Sequence, residues 1–149
     1  YDFRVMTLLD ATIWGPQYWF FLHTMTMTYP LKANDVVKKK YYDFIQNLPL
    51  FIPDASMSKS FQTILDTYPV SPYLDTRDYL TRWMHFIHNK INKRLGKPEI
   101  SMTKFYEDYH EKYKTRNIKI VEYAKTKRQI LYALLMCALL VSIYTINRQ

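Results

Sequence analysis

Between Arg77 and Pro98 the chain reads RDYLTRWMHFIHNKINKRLGKP, with Leu80, Trp83, Met84, Ile87, Ile91 and Leu95 at three- and four-residue steps. That repeat predicts a helix of about five or six turns with one apolar face. Thr76 is placed to cap its start, Gly96 to let the chain leave through a left-handed residue, and Pro98 to prevent continuation. The opposite face carries His88, Asn89, Asn92, Lys93, Arg94 and Lys97. Such a strip suits a base, a ribose and phosphates; it also suits the solvated basic side of a core helix, and spacing alone leaves both readings open.

A chain of 149 residues, 48% hydrophobic and 17% aromatic, can bury the core of one compact domain. It has only two glycines, Gly15 and Gly96, as expected of a helical protein that keeps glycine for special backbone positions. The net charge of +8 is unevenly spread: from Glu111 to Arg128 seven basic residues face two acidic ones, giving +5 in one segment. A basic collar beside a membrane accounts for this, and the core-like spacing of the tyrosines argues against nucleic-acid binding. The opening YDFRVMTLLDATI lacks the basic, apolar and small-residue succession of a secretory signal. The sequence starts at Tyr1 without an initiator methionine, so residues can precede it.

Near the start stands Trp14-Gly15-Pro16-Gln17-Tyr18-Trp19-Phe20-Phe21-Leu22-His23, with proline suited to a first helical turn and Trp19 and His23 on one face. About sixty residues later comes HNKINKRLGKP, from His88 to Pro98, preceded at five residues by Trp83. Together these motifs, W-G-P-x-x-W-x-x-L-H and the His-Asn helix, resemble the Erv/ALR family of FAD-linked sulfhydryl oxidases, over roughly residues 12 to 110. The resemblance implies an all-α, cone-like bundle of four to five helices. It also implies FAD as cofactor, with Trp14, Trp19, His23, Trp83, His88, Asn89, Asn92, Lys93, Lys97 and Tyr109 about it and His88 facing adenine. Members often dimerise through their first two helices, here the aromatic segment from Trp19 to Phe44. The periodicity agrees with such a bundle. Asn34 caps a helix from Asp35 to about Leu48 whose buried stripe is Val36, Val37, Tyr41, Phe44, Ile45 and Leu48; Lys38, Lys39 and Lys40 form a solvated face. Ser101 caps a short fifth helix.

The chain departs from the family at the chemistry. After Pro53, where the family has its redox Cys-x-x-Cys, it reads Asp54-Ala55-Ser56-Met57. Neither Asp54 nor Met57 can act as a thiol, so no catalytic residue is assigned; Asp54 instead caps the helix through Phe61, Ile64 and Leu65. The positions matching the family's structural disulfide are His85 and Met102. The missing bridge would have constrained the unfolded chain by roughly 3 kcal/mol. At the family's late Arg-Trp pair stand Asp108 and Tyr109, leaving phosphate binding to Lys93, Arg94 and Lys97. His85 and His88 could share an ion with His23 or His110, but no cysteine or paired carboxylate joins them at ligand spacing, and no metal is assigned.

From Ile130 to Ile146 run 17 uncharged residues, about 26 Å of helix and near the lower limit for a bilayer. Lys125, Lys127 and Arg128 precede the run and Arg148 follows it, which by the positive-inside rule puts the N-terminal domain on the cytoplasmic side. Cys137, the sole cysteine, lies mid-span as an apolar filler. The expected division is an extension over 1–11, a bundle over 12–112, a basic helical connector over 113–129, a transmembrane helix over 130–146 and a tail over 147–149. The function read from this is a membrane-anchored domain without redox cysteines, serving as a structural or interaction protein. Erv-like proteins are common in large DNA viruses, so a virion component joining an inner membrane to capsid proteins is the concrete form. The alternative is an FAD-dependent thiol oxidase, with oxygen as acceptor, that uses cysteines supplied in trans.

Overall fold

The computed structural model describes residues 9–114 and 116–148, and among them the only regular structure is helical. In order come α1 (Ala11–Met27), α2 (Asp35–Asn47), a 3-10 turn (Leu48–Phe51), α3 (Ala55–Thr67), a second 3-10 turn (Ser71–Tyr73), α4 (Arg77–Arg94), α5 (Met102–Tyr113) and α6 (Arg116–Ile146). The chain forms two compact units that divide within α5, between Tyr106 and Glu107.

Most helix starts are fixed by side chains legible in the sequence. Asn34, Asp54, Thr76 and Ser101 accept hydrogen bonds from the backbone N–H groups of Val37, Met57, Tyr79 and Lys104 at 2.9, 2.7, 3.2 and 3.1 Å. Each satisfies a donor that the first helical turn leaves open. Asp10 does the same for α1 through Thr12. At the far end of α4, Gly96 takes φ +67°, its N–H bonds the Lys93 carbonyl, and Lys97 N–H reaches back to Asn92 O at 2.9 Å. This pair of bonds closes the helix through a left-handed residue, which a side chain would strain by about 1 kcal/mol.

In the first unit, α1 packs mainly on α4, and α3 and the two 3-10 turns close the remaining sides. Leu22, Ile45, Phe61, Ile64, Leu65, Leu80, Trp83, Met84 and Ile87 meet in one core. Three expectations are corrected. Val36 is exposed because it lies in the first turn of α2, away from the stripe that Val37, Tyr41, Phe44 and Ile45 turn inward. Leu95 is also exposed, since the helix already unwinds there to reach Gly96. Lys38 is not merely solvated; it pairs with Asp75 across the gap between α2 and the start of α4.

That pair belongs to a wider tie between the α1–α2 connection and the segment before α4. The phenol of Tyr29 donates to Leu74 O at 2.7 Å, Ala33 N–H bonds Asp75 O at 3.1 Å, and Arg77 Nε donates to the Tyr29 carbonyl. Tyr29 is fully buried, and burial, with Tyr41 and Asp75 nearby, pushes its phenol above the usual value of 10.0. α1 ends at Met27, with Thr28 as its cap, just before Tyr29 and Pro30, where the residue preceding proline is disfavoured in a helix.

In the second unit α6 runs unbroken, and Ile118–Ile146 is long and apolar enough to cross a bilayer, with every residue of it exposed. Lys114 bridges Glu111 and Glu122 at 2.9 and 2.8 Å.

Removing the Tyr29 hydroxyl as Tyr29→Phe is expected to cost about 1–2 kcal/mol at neutral pH in urea unfolding. A phenol pKa raised by folding stabilises the native state fully below the unfolded value near 10, and this is lost as pH rises through the folded value. The parent should therefore lose its advantage over Tyr29→Phe above about pH 10.

Candidate functional site

The two family-like motifs meet where α1 crosses α4. Trp19 and His23, one turn apart on α1, face His88 on α4. The Trp19 and His88 rings stack with centroids 3.9 Å apart and planes 9° from parallel. Beside this stack, His23 Nε2 lies 3.0 Å from His88 Nδ1, so one of the two nitrogens carries the shared proton and the other accepts it. His23 is buried, and Phe105 of α5 lies against its ring at 4.4 Å. Phe61 of α3 approaches Trp19 at 6.4 Å. Burial and stacking of this kind fix ring planes, and the site offers flat π faces rather than a cluster of charges.

Not every residue expected at this site joins it. Trp83 is a core residue: its indole N–H donates to Tyr68 O at 3.1 Å and its ring lies 6.5 Å from that of Tyr73. Trp14 donates to Leu9 O at 3.1 Å and meets Tyr18 edge-on at 5.1 Å, near the start of α1. Lys93 and Lys97 stand at the end of α4 with no acidic partner among the described residues. Arg94 instead donates to Ser60 O at 2.9 Å, tying α4 to α3. Tyr109 belongs to the second unit, where its hydroxyl lies 3.0 Å from that of Tyr113.

Asn89 and Asn92 have their amides engaged inside the fold. Asn89 Oδ1 accepts from Ile100 N–H at 3.0 Å while its amide nitrogen donates to Ile100 O at 2.9 Å, a closed two-bond ring. His85 Nε2 donates to the same carbonyl at 2.8 Å. Asn92 is buried and reaches Asn89 Oδ1 at 3.4 Å. His85 and Asn89 thus hold the segment before Met102 against α4. At roughly 1 kcal/mol net per hydrogen bond, the three bonds contribute about 3 kcal/mol. Sequence reading missed this clamp, because Ile100 takes part only through its backbone. It missed Phe105 too, although its place one turn after Ser101 marks an inward position on α5.

His85 is therefore directed to Ile100 and His88 to His23, and among the described residues no three His, Cys, Asp or Glu side chains converge. At Asp54 and Met57 the structure has a helix cap and its N–H partner, and Cys137, the one cysteine, is on α6.

Residues 16–110 match the model of the Erv1 / Alr family. The chain is 32% identical over 91 residues to the mitochondrial FAD-linked sulfhydryl oxidase erv1 of Schizosaccharomyces pombe, covering 61% of this chain but only 50% of that protein. It is 27% identical over 113 residues to the FAD-linked sulfhydryl oxidase of African swine fever virus, covering 76% of this chain and 90% of that one. Among solved structures, the FAD binding domain of Erv1 from Saccharomyces cerevisiae superposes with a TM-score of 0.63 at 26% identity, over 69% of this chain and 96% of that one.

Two substitutions test the site's internal contacts by urea unfolding. His88→Phe should keep the stack on Trp19 and lose about 1 kcal/mol, whereas His88→Ala should lose about 2–3 kcal/mol. Asn89→Ala strips the Ile100 N–H of its acceptor and should cost about 2 kcal/mol.

Proposed function

Because the chain belongs to the Erv1/Alr family, we propose that it is a membrane-anchored family domain without a dithiol relay, acting as a structural or interaction protein rather than as a thiol oxidase. The observation that carries this is chemical. A thiol oxidase needs a nucleophilic thiolate pair that exchanges with its substrate, and at those positions this chain has Asp54, which caps α3, and Met57. Its one cysteine, Cys137, lies within the apolar run of α6.

In this reading residues 12–112 form the working domain, 113–129 the connector and 130–146 the membrane span. Residues 147–149 then lie beyond the membrane. The cation excess before Ile130 favours a cytoplasmic N-terminal domain. A viral relative among the oxidases is consistent with a virion component that links an inner membrane to capsid proteins. The exposed side chains of Ile13, Phe21 and Tyr42 on α1 and α2 favour a homodimer over a lone bundle. No nucleic-acid role is assigned.

The second reading keeps the cofactor. Its support is the ring cluster: His23 is buried and Trp19 and His88 are half-buried π surfaces beside it, and Lys93 and Lys97 supply cations without an acidic partner among the described residues, suited to a diphosphate. These residues would hold FAD. A bound flavin accepts two electrons from a dithiol and delivers them to oxygen. For that chemistry the chain itself supplies orientation and charge but no thiol, so the cysteines would come from a partner.

The test is the visible absorption of the detergent-purified full chain, with released flavin quantified against protein, followed by oxygen uptake with a dithiol. The expected result is no dithiol-dependent uptake in the parent. If flavin is present, the double substitution Asp54→Cys and Met57→Cys should raise uptake about 10-fold or more by restoring a thiol pair at the start of α3. Dithiol-dependent oxygen uptake by the flavin-containing parent would overturn the proposal.

A further inference from the structure

The charges around the start of α6 fall into two groups. Lys114 is neutralised by Glu111 and Glu122, and Lys119 lies 3.7 Å from Glu111. Hydrogen bonds from Lys114 hold the Glu111 carboxyl below its ordinary value, as expected of a carboxylate kept charged by its neighbours. Beyond Glu122 the sequence has no acidic residue through to Gln149. Lys125, Lys127 and Arg128 follow, all exposed and without an acidic partner among the described residues.

On a helix turning 100° per residue these three point at roughly 0°, 200° and 300°, so they lie within an arc of about 160° on one side of α6. They precede Ile130 by about 3 to 7.5 Å along the axis. Their flexible stems can lie along apolar surface while the charged heads reach outward. The other end of the run has Arg148 alone, its guanidinium 5.8 Å from the Tyr144 ring. A one-sided cluster of cations with no acidic partner among the described residues, directly above an exposed apolar cylinder, is complementary to a surface that places phosphates beside hydrocarbon.

We propose that Lys125, Lys127 and Arg128 form a binding collar for anionic phospholipid headgroups in the leaflet that meets the amino-terminal side of the apolar run. This rests on the reading that the run crosses a bilayer. The cations stand within about 7.5 Å of an exposed apolar run, so a headgroup bound to them has its acyl chains beside Ile130 and Leu131, which a polyanion without a hydrocarbon tail would leave uncovered. Each such cation near an anionic membrane surface shifts binding by about 5-fold, and screening by salt weakens the effect.

The test uses the full chain reconstituted in phosphatidylcholine vesicles with trace spin-labelled phosphatidylserine or phosphatidylcholine, the fraction of motionally restricted lipid being read for each. The expected result is a preference for phosphatidylserine of about 5-fold or more, reduced by high salt. It should fall to parity in the triple variant Lys125→Gln, Lys127→Gln, Arg128→Gln. Equal restriction of the two lipids by the parent, or an unchanged preference in the triple variant, overturns the collar. Flotation with phosphatidylcholine vesicles after alkaline extraction separates the two levels. A chain that fails to float overturns the spanning reading and the collar with it; a chain that floats without headgroup preference overturns the collar alone.

Discussion

The stack of Trp19 on His88 is the contact through which α1 and α4 become one structure. Both residues lie in the motifs that mark the family, and each motif alone would be an ordinary amphipathic helix. Brought together, they place a hydrogen-bonded histidine pair beside two parallel rings, with Phe105 and Phe61 packed around it. Such an arrangement tolerates little movement: the N···N distance is 3.0 Å, and a rotated ring would lose the bond and the stack together. The tie of Tyr29, Ala33 and Lys38 to Leu74, Asp75 and Arg77 serves the same end, because it fixes where α4 starts relative to the end of α1.

Much of this was legible in the chain itself. Apolar spacing located α4, and capping chemistry located the starts of α2, α3, α4 and α5, since those signals depend on a few adjacent residues. The positive φ of Gly96 followed from its place after the last apolar turn. What spacing could not resolve was the division of labour among the polar residues. Asn89 reads as part of a cationic face and His85 as the match to a family disulfide position, yet both are anchored to the backbone of Ile100, a contact between segments that no local pattern encodes. Trp83 reads equally well as a cofactor residue or as core; only its indole bond to Tyr68 O puts it in the core. Val36 and Leu95 were assigned inward by extending a period to the helix ends, where the last turns are free to face solvent.

The start of α3 carries a carboxylate and no thiol. Helix initiation there needs a side-chain acceptor at the cap, and Asp54 supplies it at 2.7 Å. A cysteine at that position would instead be a thiolate stabilised by the helix dipole. The backbone geometry is thus maintained by a residue that cannot exchange disulfides. At His85 a hydrogen bond to the Ile100 carbonyl likewise holds two segments together without a thiol.

The clamp on Ile100 therefore has a consequence for where residues 9–106 can fold. Every tie described within that unit is a hydrogen bond, an ion pair or an apolar contact, so its stability has no dependence on the thiol–disulfide poise of its surroundings. A bundle of this kind matures without an oxidant, and glutathione at cytosolic strength leaves it intact. Oxidising and reducing compartments are equivalent to it.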